Sequence, residues 1–406
     1  MDAWRPHKLD ELGFVGRGKS RHRPRNDARL YGGAYPFIQT ADVMAAEPYI
    51  TSHSQTYSEF GLRQSKMWPS DTLCITVAGA NTAKTAILKF EACFPDSVVG
   101  FIPEKAKADL HFVKYSLDLL KQQFLSISRG ATQDNLSLDK LLSFPILAPC
   151  VEEQRRIGEI LSAYDELMEN DQRRIRILDE MARSLYHQWF VLFHFPGHEK
   201  TKLVSSTLGN IPQGWEVKKI GDRFKTILGG TPSRAKPEFW HAGSIPWINS
   251  GKVNEIRITE PSEHITEVAL ECSSAKLMPR GTTVLAITGA TLGQVSYLEI
   301  DTAANQSVVG IIDASGLFSE WIYLTIDARI EGIIKHASGG AQQHINKEIV
   351  NDVCVAMPPE ALAREFKRLV APIFSLIAKL LFENINLRRT RDLLLPRLLS
   401  GQVTFF

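Results

Sequence analysis

Residues 97–100 read Ser-Val-Val-Gly, and the same four residues return 210 positions later at 307–310. The offset also relates Pro36 to Pro246 and Pro149 to Pro359. An offset that holds from residue 36 to residue 149 predicts two copies of one domain with little net insertion between them. A duplicated module suits a target with two parts better than it suits a single active site.

Length, composition and charge narrow the class of protein. A chain of 406 residues is too long for one compact core and fits two domains with connectors. The net charge is only +2, so a role with nucleic acid must depend on local basic clusters. Five scattered cysteines without a C-x-x-C pair favour a reducing compartment over a disulfide framework or a zinc site. Without an apolar leader or a long apolar run, we expect a cytoplasmic protein that does not span a membrane.

Short apolar runs bounded by Gly and Pro predict strands in both copies. In the first copy they lie at 73–77, 86–90 and 97–102, and apolar residues at helical spacing predict a helix over 108–124. In the second copy the runs lie at 283–287, 295–299 and 307–313. The fold class is therefore α/β (α+β), with two tandem homologous domains at 1–150 and 197–359.

A heptad pattern follows each domain. Apolar residues at three- and four-residue spacing run from Ile157 to Leu185 and from Phe366 to Leu394. They predict a long helix in 151–196, which also holds a connector, and another in 360–406, each roughly 45–50 Å long. Because Arg174 and Asn384 occupy matching places, we expect the helices to pair as an antiparallel coiled coil. The alternative is that each helix packs on its own domain.

Residues 13–20 match the phosphate-binding pattern G-x-x-x-x-G-K-[ST]. That mechanism needs a helix directly after the loop, with its N-terminus facing the phosphate. The following residues, 21–27, contain a proline and lack apolar periodicity. We therefore do not expect a nucleotide site, although a P-loop hydrolase with duplicated domains remains an alternative that Lys19→Ala would test.

The same stretch is a candidate DNA-binding loop. Six cations lie within thirteen residues and face one acid, Asp27. Lysine and arginine contact phosphates, and arginine also binds guanine edges. The candidates are Arg17, Lys19, Arg21, Arg23 and Arg25. The alternative is a solvated charge run.

Polar side chains recur at matching turns, where they could reach base edges. The first-copy candidates are Asn81, Thr82, Lys84, Arg129 and Gln133, and the second-copy candidates are Thr231, Ser233, Arg234, Lys252, Thr291, Gln294, Gln342, Gln343 and His344. Ordinary turn chemistry is the alternative for each of them. No motif for a nucleophile, a metal or a cofactor is found, so we expect a chain that is not an enzyme and holds no cofactor.

Several stretches together resemble the specificity subunit of type I restriction–modification enzymes. Residues 393–401, Leu-Leu-Leu-Pro-Arg-Leu-Leu-Ser-Gly, match the way such chains end, and Trp-Phe-Val at 189–191 is similar to the start of their connector. Gly-Gly-Thr-Pro-Ser at 229–233 and Ile-Pro-Trp-Ile at 245–248 resemble the opening of a target-recognition domain. In the first copy, residues 16–20 and 35–40 carry the same likeness.

The resemblance implies a non-catalytic subunit with two target-recognition domains, each of which reads one half of a split sequence in double-stranded DNA. It implies that the paired helices hold these domains apart and bind two methyltransferase (modification) subunits, and that restriction/translocase subunits join the complex. S-adenosylmethionine and ATP would then bind those partners. One departure is the turn at 81–84, Asn-Thr-Ala-Lys, which differs from the Gly-Ala-Thr-x-Gly form of the second copy. A coiled-coil scaffold without DNA binding is a further alternative.

Overall fold

The computed structural model describes residues 4–79, 82–128, 136–335 and 344–403, without the side chains of residues 127 and 128. The chain forms two compact units, one from Met1–Asn170 with Asn384–Phe406 and the other from Asp171–Glu383. The two boundaries between the units, at 170/171 and 383/384, each fall inside a long helix. Each unit therefore contains one α/β module together with the beginning of one long helix and the end of the other.

The first module is built from short strands and short helices around one longer helix, α4. Its strands are β1 (Arg5–His7), β2 (Gly13–Arg17), β3 (Tyr31–Phe37), β4 (Tyr49–Ile50), β5 (Gln55–Tyr57), β6 (Met67–Trp68), β7 (Leu73–Thr76), β8 (Thr85–Leu88), β9 (Ala92–Cys93), β10 (Val98–Pro103) and β11 (Ile146–Ala148). Its helices are α1 (Leu9–Leu12), α2 (Thr40–Ala45), α3 (Glu59–Arg63), α4 (Leu110–Ser128) and α5 (Leu138–Ser143).

The first long helix, α6 (Val151–Tyr186), leads through a π turn (His187–Val191) into a connector hairpin, β12 (Leu203–Ser206) and β13 (Gly209–Pro212). The strands of the second module are β14 (Glu216–Lys219), β15 (Lys225–Leu228), β16 (Ile245–Ile248), β17 (Arg257–Ile258), β18 (Glu263–Ile265), β19 (Leu277–Met278), β20 (Thr283–Ala286), β21 (Val295–Leu298), β22 (Thr302–Ala304), β23 (Val308–Ile312) and β24 (Cys354–Met357). Its helices are α7 (Ile220–Arg223), α8 (Glu267–Cys272), α9 (Ser319–Ile334) and α10 (Lys347–Asn351), and the second long helix, α11 (Glu360–Leu399), follows.

The two modules have the same sheet topology. A five-stranded sheet has the order β2-β10-β7-β8-β4 in the first module and β15-β23-β20-β21-β17 in the second. A four-stranded sheet has the order β5-β3-β9-β6 in the first and β18-β16-β22-β19 in the second. Even the register is kept, because Val98 pairs with Thr76 and Val308 pairs with Ala286. The predicted duplication of an α/β domain is confirmed.

The central strands are buried and mostly apolar because both faces of the five-stranded sheet are covered. Alternate residues such as Ile75 and Val99 pack with Phe112 of α4, whereas Cys74 and Val98 pack toward the four-stranded sheet. Side chains alternate between the faces of a strand, so two covered faces require an unbroken apolar run. The second module is built alike, with α9 on one face and the sheet of β16 and β22 on the other.

The repeated glycine of Ser-Val-Val-Gly permits close contact between the two sheets. A Cβ on Gly100 would lie 2.6 Å from Cζ3 of Trp68, and one on Gly310 would lie 2.6 Å from Sδ of Met278. Both positions exclude a side chain, but the neighbours differ in stiffness. A tryptophan ring fixed in a core cannot yield as a methionine chain can.

The long helices contact each other within each unit, and within the second unit they run antiparallel. There Ile175 packs with Ile377 and Leu380, while the ring of Trp189 lies 5.7 Å from that of Phe366. In the first unit, Leu161 shares a core with Leu398. At 36 and 40 residues, the helices are about 54 and 60 Å long, more than predicted, because they extend beyond the heptad runs.

The two polar heptad positions have different surroundings. Arg174 is half-exposed and pairs with Asp171 of its own helix at 3.1 Å. Asn384 is buried, and its Oδ1 atom has no hydrogen-bond partner in the described part of the chain. The matching positions therefore do not form matching contacts.

Helix α11 contains Pro372 and Pro396 without ending at either. A proline lacks the N–H that would donate to the carbonyl four residues earlier, so packing must hold the helix together at Pro372. Among the described helices, α11 alone has the length and hydropathy of a membrane span. Its apolar residues Phe366, Val370 and Phe374 are buried in the core of the second unit.

We expect Gly100→Ala to destabilise the chain more than Gly310→Ala. The first change forces a methyl group against a fixed indole ring and should cost about 2–3 kcal/mol, whereas Met278 can rotate away and limit the second cost to about 1 kcal/mol. Calorimetric unfolding of the full chain measures both. Equal losses would show that the two glycines face equally rigid neighbours.

Candidate nucleic-acid interface

Backbone hydrogen bonds hold several segments together at one edge of each five-stranded sheet, where the Ser-Val-Val-Gly strand begins. In the first module, Gly18 N donates to the carbonyl of Val98 at 2.9 Å, and Val77 N donates to that of Ser97 at 2.9 Å. The first bond holds the loop after β2, and the second holds the turn after β7. We call this edge the loop edge.

The second module forms its loop edge with the same bonds. Gly229 N donates to Val308 O at 3.0 Å, and Ile287 N donates to Ser307 O at 2.9 Å. Gly18 and Gly229 are needed for close approach, since a Cβ on either would lie 2.2 Å from a carbonyl oxygen, that of Phe94 or of Asn305. These contacts fix the start of the loop after β2 and of the loop after β15, so the position from which each loop leaves the sheet is set by the backbone.

A residue from later in each module also bonds to this edge. Leu136 N donates to Val77 O at 2.9 Å, and Ile345 N donates to Ile287 O at 3.0 Å. His344 also bridges to Thr288, just before the 3₁₀ turn Gly289–Thr291. The candidates Asn81, Arg129, Gln133, Gln342 and Gln343 lie outside the described residues.

Two acids neutralise part of the basic loop. Asp27 accepts from Arg29, whose Nη2 lies 2.7 Å from Oδ2, and it also contacts His22 at 2.8 Å. These bonds hold the pKa of the Asp27 carboxyl well below its usual range. Arg25 donates to Asp96 at 2.9 Å. Both arginines are therefore already paired within the protein.

The remaining cations of the loop have fewer contacts. Arg17 donates to the carbonyl of Asp96 at 3.4 Å, and Arg23 donates to that of Ser20 at 2.6 Å. Lys19 and Arg21 are exposed, and no ion pair involves either side chain in the described part of the chain. These two are the best placed to contact an external anion.

In the first-module turn, Thr82 must be removed from the candidates. It is buried, and its hydroxyl donates to the carbonyl of Gly79 at 2.7 Å, which is ordinary turn chemistry. Lys84 lies on the same turn with its Nζ 3.6 Å from Oε1 of Glu47, so its charge is partly balanced.

In the second module, the loop after β15 forms a cluster with Trp240. Arg234 makes two bonds to Glu263, of 2.7 and 2.6 Å, and its guanidinium lies 3.5 Å from the centroid of the Trp240 ring. Thr231 donates to Gln306, which follows β22, and the Ser233 carbonyl accepts from the Trp240 indole. The cluster holds Arg234 in one orientation.

The other second-module candidates lie around the turn at residue 289. Lys252, in the 3₁₀ helix Ser250–Asn254, bonds Glu255 at 2.6 Å, and this helix packs against the turn Gly289–Thr291. The Thr291 hydroxyl donates to the carbonyl of Thr288 at 3.2 Å. Gln294 has a buried Oε1 with no partner among the described residues, and His344 is exposed. Structure thus brings together Lys252, Thr291 and His344, which are distant in sequence.

The P-loop alternative is not supported. Residues 13–17 do form a strand, but the next helical segment is a short 3₁₀ turn, Ala28–Leu30. The helix N-terminus that the mechanism requires directly after Lys19 and Ser20 is therefore missing. Within the described ranges, no group of three His, Cys, Asp or Glu side chains could hold a metal ion.

Sequence patterns did not single out Asp96, Gln306 or Trp240, which hold candidate residues in place. Asp96 and Gln306 each lie directly before the repeated Ser-Val-Val-Gly, so the repeat itself was the signal that could have found them. Trp240 lies between residues 229–233 and 245–248, two stretches noted for their family likeness.

Comparison with known proteins identifies the family. The model of the type I restriction modification DNA specificity domain matches residues 1–178 and 212–363. The MjaIX specificity subunit of Methanocaldococcus jannaschii is 25% identical over 98% of this chain and 93% of its own length. The HindI specificity subunit of Haemophilus influenzae is 24% identical over 69% of this chain and 74% of its own length.

A solved structure has the same fold. The type I S subunit from M. genitalium aligns over 98% of this chain and 96% of its own, with a TM-score of 0.63 at 17% identity. The family model matches both modules and most of the chain. The chain therefore belongs to the specificity subunits of type I restriction–modification systems, which recognise DNA and are not themselves catalytic.

Proposed function

We propose that the loop edge of each module reads one half of a bipartite site in double-stranded DNA. One observation carries the proposal: equivalent backbone hydrogen bonds build the edge twice, while the side chains on it differ. A common frame with different contact residues is what recognition of two different half-sites requires.

Lys19 and Arg21 supply phosphate contacts in the first module, since neither forms an ion pair with the residues that the structure describes. In the second module, Thr291 and His344 present donors and acceptors suited to base edges. The residues at 81, 129, 133, 342 and 343 complete this proposed set. Thr82 is left out because its hydroxyl is buried.

Lys19→Ala and Arg21→Ala should each weaken association with duplex DNA and reduce its salt dependence. Each lost phosphate contact should lower the slope of log K against log salt by about 0.9. Anisotropy titrations of the full chain with its modification subunits over a potassium chloride series give the slope.

Arg29→Ala is the matched control, since it removes the same charge from the same loop at a residue already paired with Asp27. Its slope should stay close to that of the unaltered chain. If Arg29→Ala and Lys19→Ala behaved alike, the internal pairing would not decide which cations contact DNA.

We further propose that the long helices bind two methyltransferase subunits, to which restriction subunits are added in the cytoplasm. Large apolar side chains remain exposed on α6, and Ile177 and Met181 lie one turn apart on one face, each 52% exposed. Exposed apolar stripes of this kind mark protein–protein contacts.

The double variant Ile177→Lys/Met181→Lys should lose co-purification of the methyltransferase subunits while the chain keeps its melting temperature, since both residues are exposed. Two charges in an apolar contact would have to be desolvated on binding. Gln172→Lys is the control, because Gln172 is exposed and lies roughly 140–180° around the helix from the stripe. Retention of the partner by the double variant would place its binding elsewhere.

The helix pair is also proposed to set the spacing between the two half-sites. Inserting seven residues into each helix, near Arg174 and Asn384, keeps the heptad register and adds about 10 Å. Sequencing of methylated sites should then show an unspecified gap longer by about three base pairs. The same insertion in the exposed turn at Gly197 should leave the gap unchanged, and an unchanged gap in the helix variant would contradict a spacing role.

A further inference from the structure

Two lysines outside the sequence-derived candidates occupy the same place in the repeat. Lys66 directly precedes β6, and Lys276 directly precedes β19. The register establishes the equivalence, because Met67 pairs with Cys93 and Leu277 pairs with Ala303. Each lysine therefore enters the four-stranded sheet at the same corner of its module.

In the second module, this corner opens into a groove of about 580 Å³ along β15, the edge strand of the five-stranded sheet. Three lysines line it, Lys225, Lys276 and Lys347, together with Thr226 and apolar side chains. The lining contains no acid, and no ion pair involves these three ammonium groups in the described part of the chain. The groove is therefore a positively charged surface whose charge no described acid neutralises.

In the first module, Lys66 lies against β2, the matching edge strand. Its Nζ atom is 4.4 Å from the centroid of the Phe14 ring and 4.0 Å from that of the Trp68 ring. Partial burial and repulsion from Lys19 both lower the pKa of Lys66. Lys66 is thus a cation held in place by two rings beside another cation, and no described acid pairs with it, so it is positioned for an external anion.

The position of the groove indicates which anion would bind there. Strand β15 ends at Leu228, and Gly229 begins the loop held at the loop edge. At about 3.3 Å per residue, Lys225 lies roughly 13 Å from Gly229, a few phosphate steps along one DNA strand. A duplex read at the loop edge would thus extend its backbone along the edge strand.

We propose that Lys66 and Lys276 are equivalent contacts to the DNA backbone, one in each module, and that Lys19 in the first module and Lys225 and Lys347 in the second extend each contact into a phosphate clamp. The clamp rests on the proposed reading of DNA by the loop edges. The clamp is independent of base sequence. It holds each module on the duplex while the loops at the loop edge distinguish one base sequence from another.

The test uses Lys66→Met, Lys276→Met and the double variant in the full chain with its modification subunits. Methionine keeps an apolar stem of similar length over Phe14 and Trp68 but removes the charge. Two unrelated duplexes of mixed sequence are titrated over a potassium chloride series. Each single variant should weaken binding of both duplexes by roughly tenfold and reduce the salt slope by about 0.9, with both effects adding in the double variant.

Lys107→Met and Lys219→Met are the matched controls, since these lysines are half-exposed and paired with Glu104 and Asp352. Both should bind like the unaltered chain, and Lys66→Arg and Lys276→Arg should retain the slope. If Lys66→Met and Lys276→Met matched the controls while the unaltered chain bound with steep salt dependence, the clamp would be refuted and DNA recognition would stand. Absence of any salt-dependent binding by the unaltered chain would refute both. An unchanged melting temperature in the Met variants separates the charge effect from a structural one.

Discussion

The strand that begins after Ser97, and its copy after Ser307, must be buried on both faces and still offer backbone carbonyls to the loops at the loop edge. Burial on both faces makes the strand apolar throughout, and the sheet above it leaves no room for a side chain at Gly100 or Gly310. The carbonyls of the same strand and of the residues just before it hold the loops that carry the candidate contacts. Core packing and loop position are therefore set by one segment, which explains why it is the most visible part of the repeat.

The two modules share this backbone arrangement but differ in how charge is distributed on their loops. The first module has a long cationic loop in which Asp27 and Asp96 neutralise Arg29 and Arg25, leaving Lys19 and Arg21 unpaired in the described structure. The second has a loop with fewer cations, in which Arg234 is fixed by Glu263 and stacked on Trp240. A fixed guanidinium loses less freedom on binding than a mobile one, so the modules differ in rigidity as well as in sequence.

Sequence reasoning predicted the elements whose cause is local or periodic. Strands at 73–77 and 307–313 follow from double burial, and the long helices follow from the heptad spacing, which outweighed Pro372. Interactions between residues that are distant in sequence could not be predicted in this way. The partner of Arg25 lies 71 residues away, and Arg257, an arginine in a polar stretch, is buried against the rings of Tyr297, Tyr323 and Phe374 beside Glu299. The burial of Thr82 was not predicted because the same turn sequence is compatible with a hydroxyl that faces solvent and with one that bonds inside the turn.

The core of the first module contains residues from the far end of the chain. Leu398 and Leu399 of α11 are buried with Leu9, Phe112 and Leu161, although about 250 residues of chain lie between the end of the first module and these leucines. At roughly 5–20 residues per second, a ribosome needs about 12–50 s to make that interval, and for this time the module that emerged first lacks part of its interior. A nonsense mutation that removes Leu398 and Leu399 would therefore damage the module that was translated first.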